Sequence, residues 1–205
     1  MFKWFKKKIL KKGLTWYDVT LDQYLKLKEL DMNEFDDQIQ GASILLGINS
    51  DDMSWVDFCK EFKRLEFLKD PIPETIVRPS YTLNGKKYDC LYNLQELSVN
   101  RYMDFMKLAP TNDLVKILAV FLVPEGKSYA EGYDLDEVYK DIRTMNVVEA
   151  WGIFNFFQLE FRVSIKALKG YLQKSLKDQS PELQKAVSDI MEYYSMLDQP
   201  LNGLD

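Results

Sequence analysis

Three groups of carboxylates stand close together along this chain: Asp36-Asp37, Asp51-Asp52, and Asp134 with Asp136 and Glu137. Carboxylates that converge from separate segments can hold magnesium or divide general acid and base roles between them. Each group here is local, and no second segment is marked to meet it. Asp134 and Glu137 fit a helix start, where acids interact favourably with the helix dipole. Histidine is absent, which removes the commonest base near neutral pH, the commonest nitrogen ligand, and every Ser–His or Cys–His nucleophile system. The two cysteines, Cys59 and Cys90, form no Cys-x-x-Cys pair and read as reduced, mostly buried thiols. Gly126-Lys127-Ser128 resembles the end of a phosphate-binding loop. The glycine that loop needs five residues before Gly126 is Phe121, however, and Gly132 interrupts the helix that should follow. A surface loop is the simpler reading. No catalytic, metal or cofactor set is readable, and the chain is expected not to be an enzyme.

The residues with most to say are at the start. Met1 to Lys12 holds Lys3, Lys6, Lys7, Lys8, Lys11 and Lys12 with no acid, interleaved with Phe2, Trp4, Phe5, Ile9 and Leu10. These six lysines belong to a total of 27 basic residues against 32 acidic ones, so the remainder carries 21 basic against 32 acidic. A basic, aromatic arm on an acidic body suggests that the two meet different surfaces. Lys3, Trp4, Phe5, Lys6, Lys7, Lys8, Lys11 and Lys12 are therefore candidate partner-binding residues. An acidic protein surface, including a neighbouring copy, nucleic acid through its phosphates, and an anionic membrane are all open as partners. So is a merely solvated terminus. No small-molecule substrate is implied.

The body is expected to be mainly α, a helical bundle-like protein with one β-hairpin at about 79–91. With 46% apolar and 14% aromatic residues, a sizeable core is available. Five sections are expected: the arm at 1–12, helices over 13–68, a proline-containing linker at 69–80, a hairpin with helices over 81–198, and a loose tail at 199–205. Thr20 with Gln23 forms a capping box for a helix through about Met32. A helix over Glu34–Leu46 should stop at Gly47, and Ser54 with Asp57 should open the next. Pro71, Pro73 and Pro79 require an extended segment. Asn84-Gly85 between alternating residues predicts a type I′ hairpin with Tyr81 opposite Tyr88. Ser98 should open a helix that ends before Pro110, and Asn112–Val123 reads as an apolar helix halted by Pro124. Asp134 caps a short helix. Asn146 with Glu149 opens a long one to about Ser175, whose Trp151, Phe154, Phe156, Phe157 and Phe161 serve a core or a partner groove. Ser180-Pro181 opens a last helix to about Leu197. No apolar run is long enough to span a membrane, and a soluble protein is expected.

The hairpin Tyr81-Thr-Leu-Asn-Gly-Lys-Lys-Tyr88 is followed by Phe121-Leu-Val-Pro-Glu-Gly-Lys-Ser-Tyr129, Gly132-Tyr133-Asp134, a helix through Ile142, and Phe154-Asn-Phe156-Phe157. This order resembles small proteins encoded among the virion-assembly genes of tailed phages of gut Bacteroidetes, including crAss-like phages, over about residues 78–172. The resemblance implies a virion component or an assembly factor, without a cofactor. The corresponding expectation is a multi-copy protein of the portal–tail region or internal cargo of the particle, in contact with other phage structural proteins and copies of itself. A tail-assembly chaperone absent from the mature virion, active in the host cytoplasm, is the alternative. A host-directed binding module using the arm is another. The hairpin offers an edge for pairing with a neighbour, which makes Tyr81, Leu83, Asn84, Gly85 and Tyr88 further candidate partner-binding residues.

Overall fold

The computed structural model describes residues 13–47, 49, 54–91, 93, 97–130, 132–175 and 185. The expected mainly helical fold with a β-hairpin is the observed one: seven α-helices and a small three-stranded antiparallel sheet among the described residues. The chain divides into two compact units. One contains the chain up to Thr75 together with Arg143–Ala150, and the other contains Ile76–Ile142 and the chain from Trp151 onward. The division falls inside the proline-bearing segment.

In the first unit Thr20 caps α1 (Leu21–Leu27), exchanging hydrogen bonds with Gln23 as a capping box. The helix is shorter than its sequence suggested, ending at Leu27 ahead of a turn. α2 (Phe35–Leu46) stops at Gly47, whose φ of 63° is the left-handed conformation glycine adopts without strain. Gly41 of α2 lies where an added Cβ would stand 3.3 Å from Leu27, so the missing side chain lets the two elements approach. The Gln23 amide donates to the Ile44 carbonyl at 3.0 Å. Ser54 caps α3 (Trp55–Phe62), which tightens into a 3-10 helix over Lys63–Lys69. Trp16 is the aromatic centre, set edge-on to Phe67 and Tyr24, with its indole N–H on the Asp70 carbonyl at 2.9 Å. The returning segment adds one isolated antiparallel bridge, Thr20 opposite Asn146: Leu21 N–H donates to Met145 O at 2.7 Å and Val147 N–H to Val19 O at 2.9 Å. The Asn146 amide donates to Tyr17 O at 2.7 Å while its carbonyl accepts from Val148 N–H at 2.9 Å.

In the second unit the sheet runs in the order β1 (Ser80–Leu83), β2 (Lys86–Cys90), β3 (Leu122–Pro124). Tyr81 pairs with Tyr88 as the Asn-Gly turn requires, and Asn84 and Gly85 both have positive φ, 49° and 79°. β3 corrects the sequence reading. Residues 122 and 123 were expected to close an apolar helix, but that helix, α5 (Leu114–Phe121), ends earlier. Leu122 and Val123 instead pair with Cys90 and Asp89. Pairing satisfies backbone groups that the helix would have left open before Pro124, and it gives the hairpin the third strand it needs for stability.

α4 (Val99–Leu108), capped by Ser98, and α5 supply much of the core. α6 (Leu135–Arg143) follows the loop after β3, and α7 (Val147–Ser175) contributes Phe154 and Phe157. Phe157 stacks flat on Phe121 with centroids 3.5 Å apart, and Phe121 meets Phe105 edge-on. The expected last helix and tail, like the arm, lie outside the described residues, apart from Lys185, which is helical and exposed.

Candidate functional site

The candidate hairpin residues are mostly internal. Tyr81, Leu83 and Tyr88 are 4%, 3% and 1% exposed, because strand alternation turns them onto one face and that face is the core. These three side chains are therefore not a surface of the folded chain, and the expected contact with a neighbour would fall to the backbone edge and the turn. Tyr81 is further fixed by accepting a hydrogen bond from Arg78 N–H at 2.8 Å on its hydroxyl oxygen. Asn84 and Gly85 are exposed at the turn. β1, which pairs with β2 alone among the described residues, keeps a backbone edge. The arm residues Lys3, Trp4, Phe5, Lys6, Lys7, Lys8, Lys11 and Lys12 lie outside the described residues.

The hairpin converges on a residue that sequence reading missed. Asp141 of α6 is 1% exposed. Its carboxylate accepts from Tyr88 Oη at 2.7 Å, Lys86 Nζ at 2.9 Å and Asn84 Nδ2 at 3.1 Å. Burial pushes the carboxyl up, but these three donors outweigh it and hold Asp141 below the ordinary aspartate range. Lys86 also pairs with Glu137 at 2.7 Å. The effect is a latch that fastens the hairpin to α6.

A second buried charge lies on α4. Arg101 is 9% exposed, and its guanidinium carbon sits 4.7 Å from the centre of the Tyr129 ring. Among the described residues, its Nε and Nη2 are shielded from solvent and have no hydrogen-bond partner, and neither has the buried Tyr133 hydroxyl. Cys90 is close enough to feel the charge, yet burial pushes its thiol up to about 12, so it remains neutral. Tyr129 donates to Asp104 at 2.7 Å and is likewise held protonated, chiefly by burial. A groove of about 380 Å³ lies beside Tyr129, lined also by Ser98, Asn100, Met103, Asp104 and Lys107.

The first unit has an open aromatic face. Phe35 is 51% exposed, and Trp55 and Val56 are each 61% exposed. Phe35 lies 5.7 Å from Trp55, which stacks on Phe58, which stacks on Phe62. Glu34 and Asp36 flank Phe35 at the surface, with Lys60 further along α3 and Lys63 at the start of the 3-10 helix that follows. On α7 the aromatic stripe is mainly internal. Phe154 and Phe157 are buried, Trp151 and Phe156 half-buried, and among the described side chains of α7 Leu159 and Val163 are exposed apolar ones. The side chain of Phe161 lies outside the described set.

The carboxylate groups act locally. Asp134 accepts from Asp136 N–H and Glu137 N–H at the start of α6, and Asp37 accepts from Asp31 N–H at 2.7 Å; Asp51 and Asp52 lie outside the described residues. Gly126-Lys127-Ser128 is an exposed turn closed by Lys127 N–H on Pro124 O at 3.0 Å. Cys59 and Cys90 are free thiols. Among the described residues no cluster of three or more Cys, Asp or Glu side chains could hold a metal ion, and no helix is long and apolar enough to cross a membrane. No protein-family model matches the chain, and no curated protein or solved structure matches it.

Proposed function

We propose that this chain is a non-enzymatic assembly protein that associates with copies of itself and with neighbouring structural proteins. Following the resemblance described above, we place it in phage particles as a multi-copy component of the portal–tail region or as internal cargo. The observation that carries the assembly reading is the open aromatic face. A tryptophan, a phenylalanine and a valine, each more than half exposed and adjoining a stacked row, form the kind of apolar surface that marks a protein contact. The occupant we favour is the basic arm of another copy. Its lysines complement Glu34 and Asp36, and its Phe2, Trp4 and Phe5 can extend the aromatic row.

Sedimentation of the full chain tests the association. Oligomers should form at low salt and dissociate at high salt, and both Trp55→Ala and removal of residues 1–12 should shift the equilibrium toward monomer. A salt-independent state, unchanged in both variants, would overturn the arm-to-face contact. Quantitative mass spectrometry of purified particles tests the location. A fixed copy number relative to the major capsid protein supports a structural or cargo role. Abundance in infected cells with absence from particles replaces it with the tail-assembly chaperone, the reading that exposed Leu159 and Val163 on α7 favour.

A further inference from the structure

Arg101 poses a question that the assembly reading leaves unanswered. A guanidinium is rarely buried without a carboxylate or phosphate beside it, because taking the charge out of water is costly unless an anion and hydrogen bonds replace the lost solvent. The two unpartnered nitrogens, Nε and Nη2, are neighbours on one edge of the planar group. Their N–H bonds point the same way as a side-on fork, the geometry that accepts two oxygens of one oxyanion. The groups around it do not supply that charge. Cys90 stays a thiol, Tyr129 and Tyr133 stay phenols, and burial raises all three. Asp104 is engaged by the Tyr129 hydroxyl at 2.7 Å. The stack of Arg101 on Tyr129 offers a ring face to the cation but no acceptor for the fork. A second orphan, the Tyr133 hydroxyl, is a further donor in the same neighbourhood.

We infer that the Nε–Nη2 edge of Arg101, with the Tyr133 hydroxyl, is a binding site for a small oxyanion, a carboxylate or a phosphate. The Tyr129 ring centre lies 4.7 Å from the guanidinium carbon, and Tyr129 also lines the roughly 380 Å³ groove. The groove is the approach route, with Lys107 at its wall as an additional positive charge and Asp104 as the opposing one, restrained by Tyr129 and by Lys107 at 3.9 Å. Because Nε and Nη2 are closed off from solvent, an entering anion has to displace side chains around the fork, and Tyr129 is a groove residue that stacks on the guanidinium. A small anion suits such an enclosed fork better than a side chain delivered by a bulky partner.

The test is thermal unfolding of the full chain at constant ionic strength, with sodium chloride replaced stepwise by acetate in one series and by phosphate in another. The two series separate the two sources of the oxyanion. In the wild type, one of them raises the midpoint in a saturable manner that chloride does not reproduce. Arg101→Met abolishes the saturable response, and Arg101→Lys, which keeps the charge but loses the fork, does the same. Tyr133→Phe weakens apparent affinity by about tenfold, the effect of removing one hydrogen bond to a charged ligand. Circular dichroism checks that each variant is folded, and Arg101→Lys and Tyr133→Phe keep the test open if Arg101→Met is not. A wild type with no saturable response to either anion overturns the site. So does an equal response in the Arg101 variants, which would mean general salting-out stabilisation.

Discussion

Among the described residues of the second unit two charges are buried, and the protein treats them differently. Asp141 accepts from Tyr88, Lys86 and Asn84 of one hairpin, each within 3.1 Å. Arg101 stacks on a tyrosine and leaves one edge of its guanidinium without a hydrogen bond among the described residues. The first arrangement is complete without outside help, so its charge works for the fold by fixing the hairpin register and the position of α6. The second is incomplete as it stands, and the missing component is an anion. A buried polar group that is satisfied explains structure, and one that is not points beyond the chain.

Truncating both residues is the severest way to break this contrast. Asp141→Ala leaves the Tyr88 hydroxyl and the Asn84 amide without their acceptor and should cost about 3 kcal/mol. In buffer free of oxyanions, Arg101→Met should cost much less or stabilise slightly, by about 1 kcal/mol, since a buried unpaired charge is exchanged for an apolar chain of similar reach. Urea denaturation of both variants measures the difference. Equal losses at the two positions would show that Arg101 is as fully compensated as Asp141 and would remove the contrast.

A smaller effect tests how the latch is delivered. Gly85 has a φ of 79° with no atom near its missing Cβ, so Gly85→Ala strains only the backbone, at about 1 kcal/mol. If the turn's main contribution is to hold Asn84 and Lys86 against Asp141, that loss should shrink in an Asp141→Ala background. Strict additivity of the two substitutions by chemical denaturation would mean that the turn and the latch are independent.

Much of this fold was legible because its signals are local. Thr20 with Gln23, Ser54, Ser98 and Asp134 mark helix starts by accepting from the backbone N–H three residues ahead. Gly47 marks a stop, and Asn84-Gly85 sets the pairing of Tyr81 with Tyr88. What was hidden depends on distant partners. Leu122 and Val123 continue an apolar run that a helix could have used, and only β2 decides that they are a strand. The return of Arg143–Ala150 to the first unit rests on backbone bonds across more than a hundred residues, which leave no mark on the sequence around it. The two buried charges did leave a trace. Asp141 falls in the same stripe as Val138 and Ile142, and Arg101 four residues before Phe105. A charge on the apolar stripe of a helix is the available sign of a buried ionic site, although it does not reveal whether the site is filled. The candidate arm remains a sequence feature, and the side chains of Tyr81, Leu83 and Tyr88 are core while Asn84 and Gly85 are exposed, because alternation fixes two faces without saying which face is covered.

The smallest expected effect concerns acid. Asp141 is held below the ordinary value of 3.8 by its donors, against the opposing pull of burial. The unfolded chain therefore takes up this proton at a higher pH than the folded chain. Between those two values the unfolded state binds more protons, so stability falls as pH falls. The contribution of Asp141 is fully present above about pH 4 and is lost as the pH drops through the lower folded value. Other acids add to the same slope, among them Asp22, which the Lys26 hydrogen bond and Arg143 hold down against burial. The informative quantity is therefore the difference between variants. Asp141→Asn should have a shallower decline in stability below pH 4 than the wild type, whereas Arg101→Met should retain the wild-type slope, because a guanidinium does not titrate there. Denaturant midpoints measured from pH 5 to pH 2.5 give all three curves. A wild-type slope in Asp141→Asn would mean that the latch does not depend on the charge of Asp141, and a flattened slope in Arg101→Met would mean that an acid already answers Arg101 inside the folded chain.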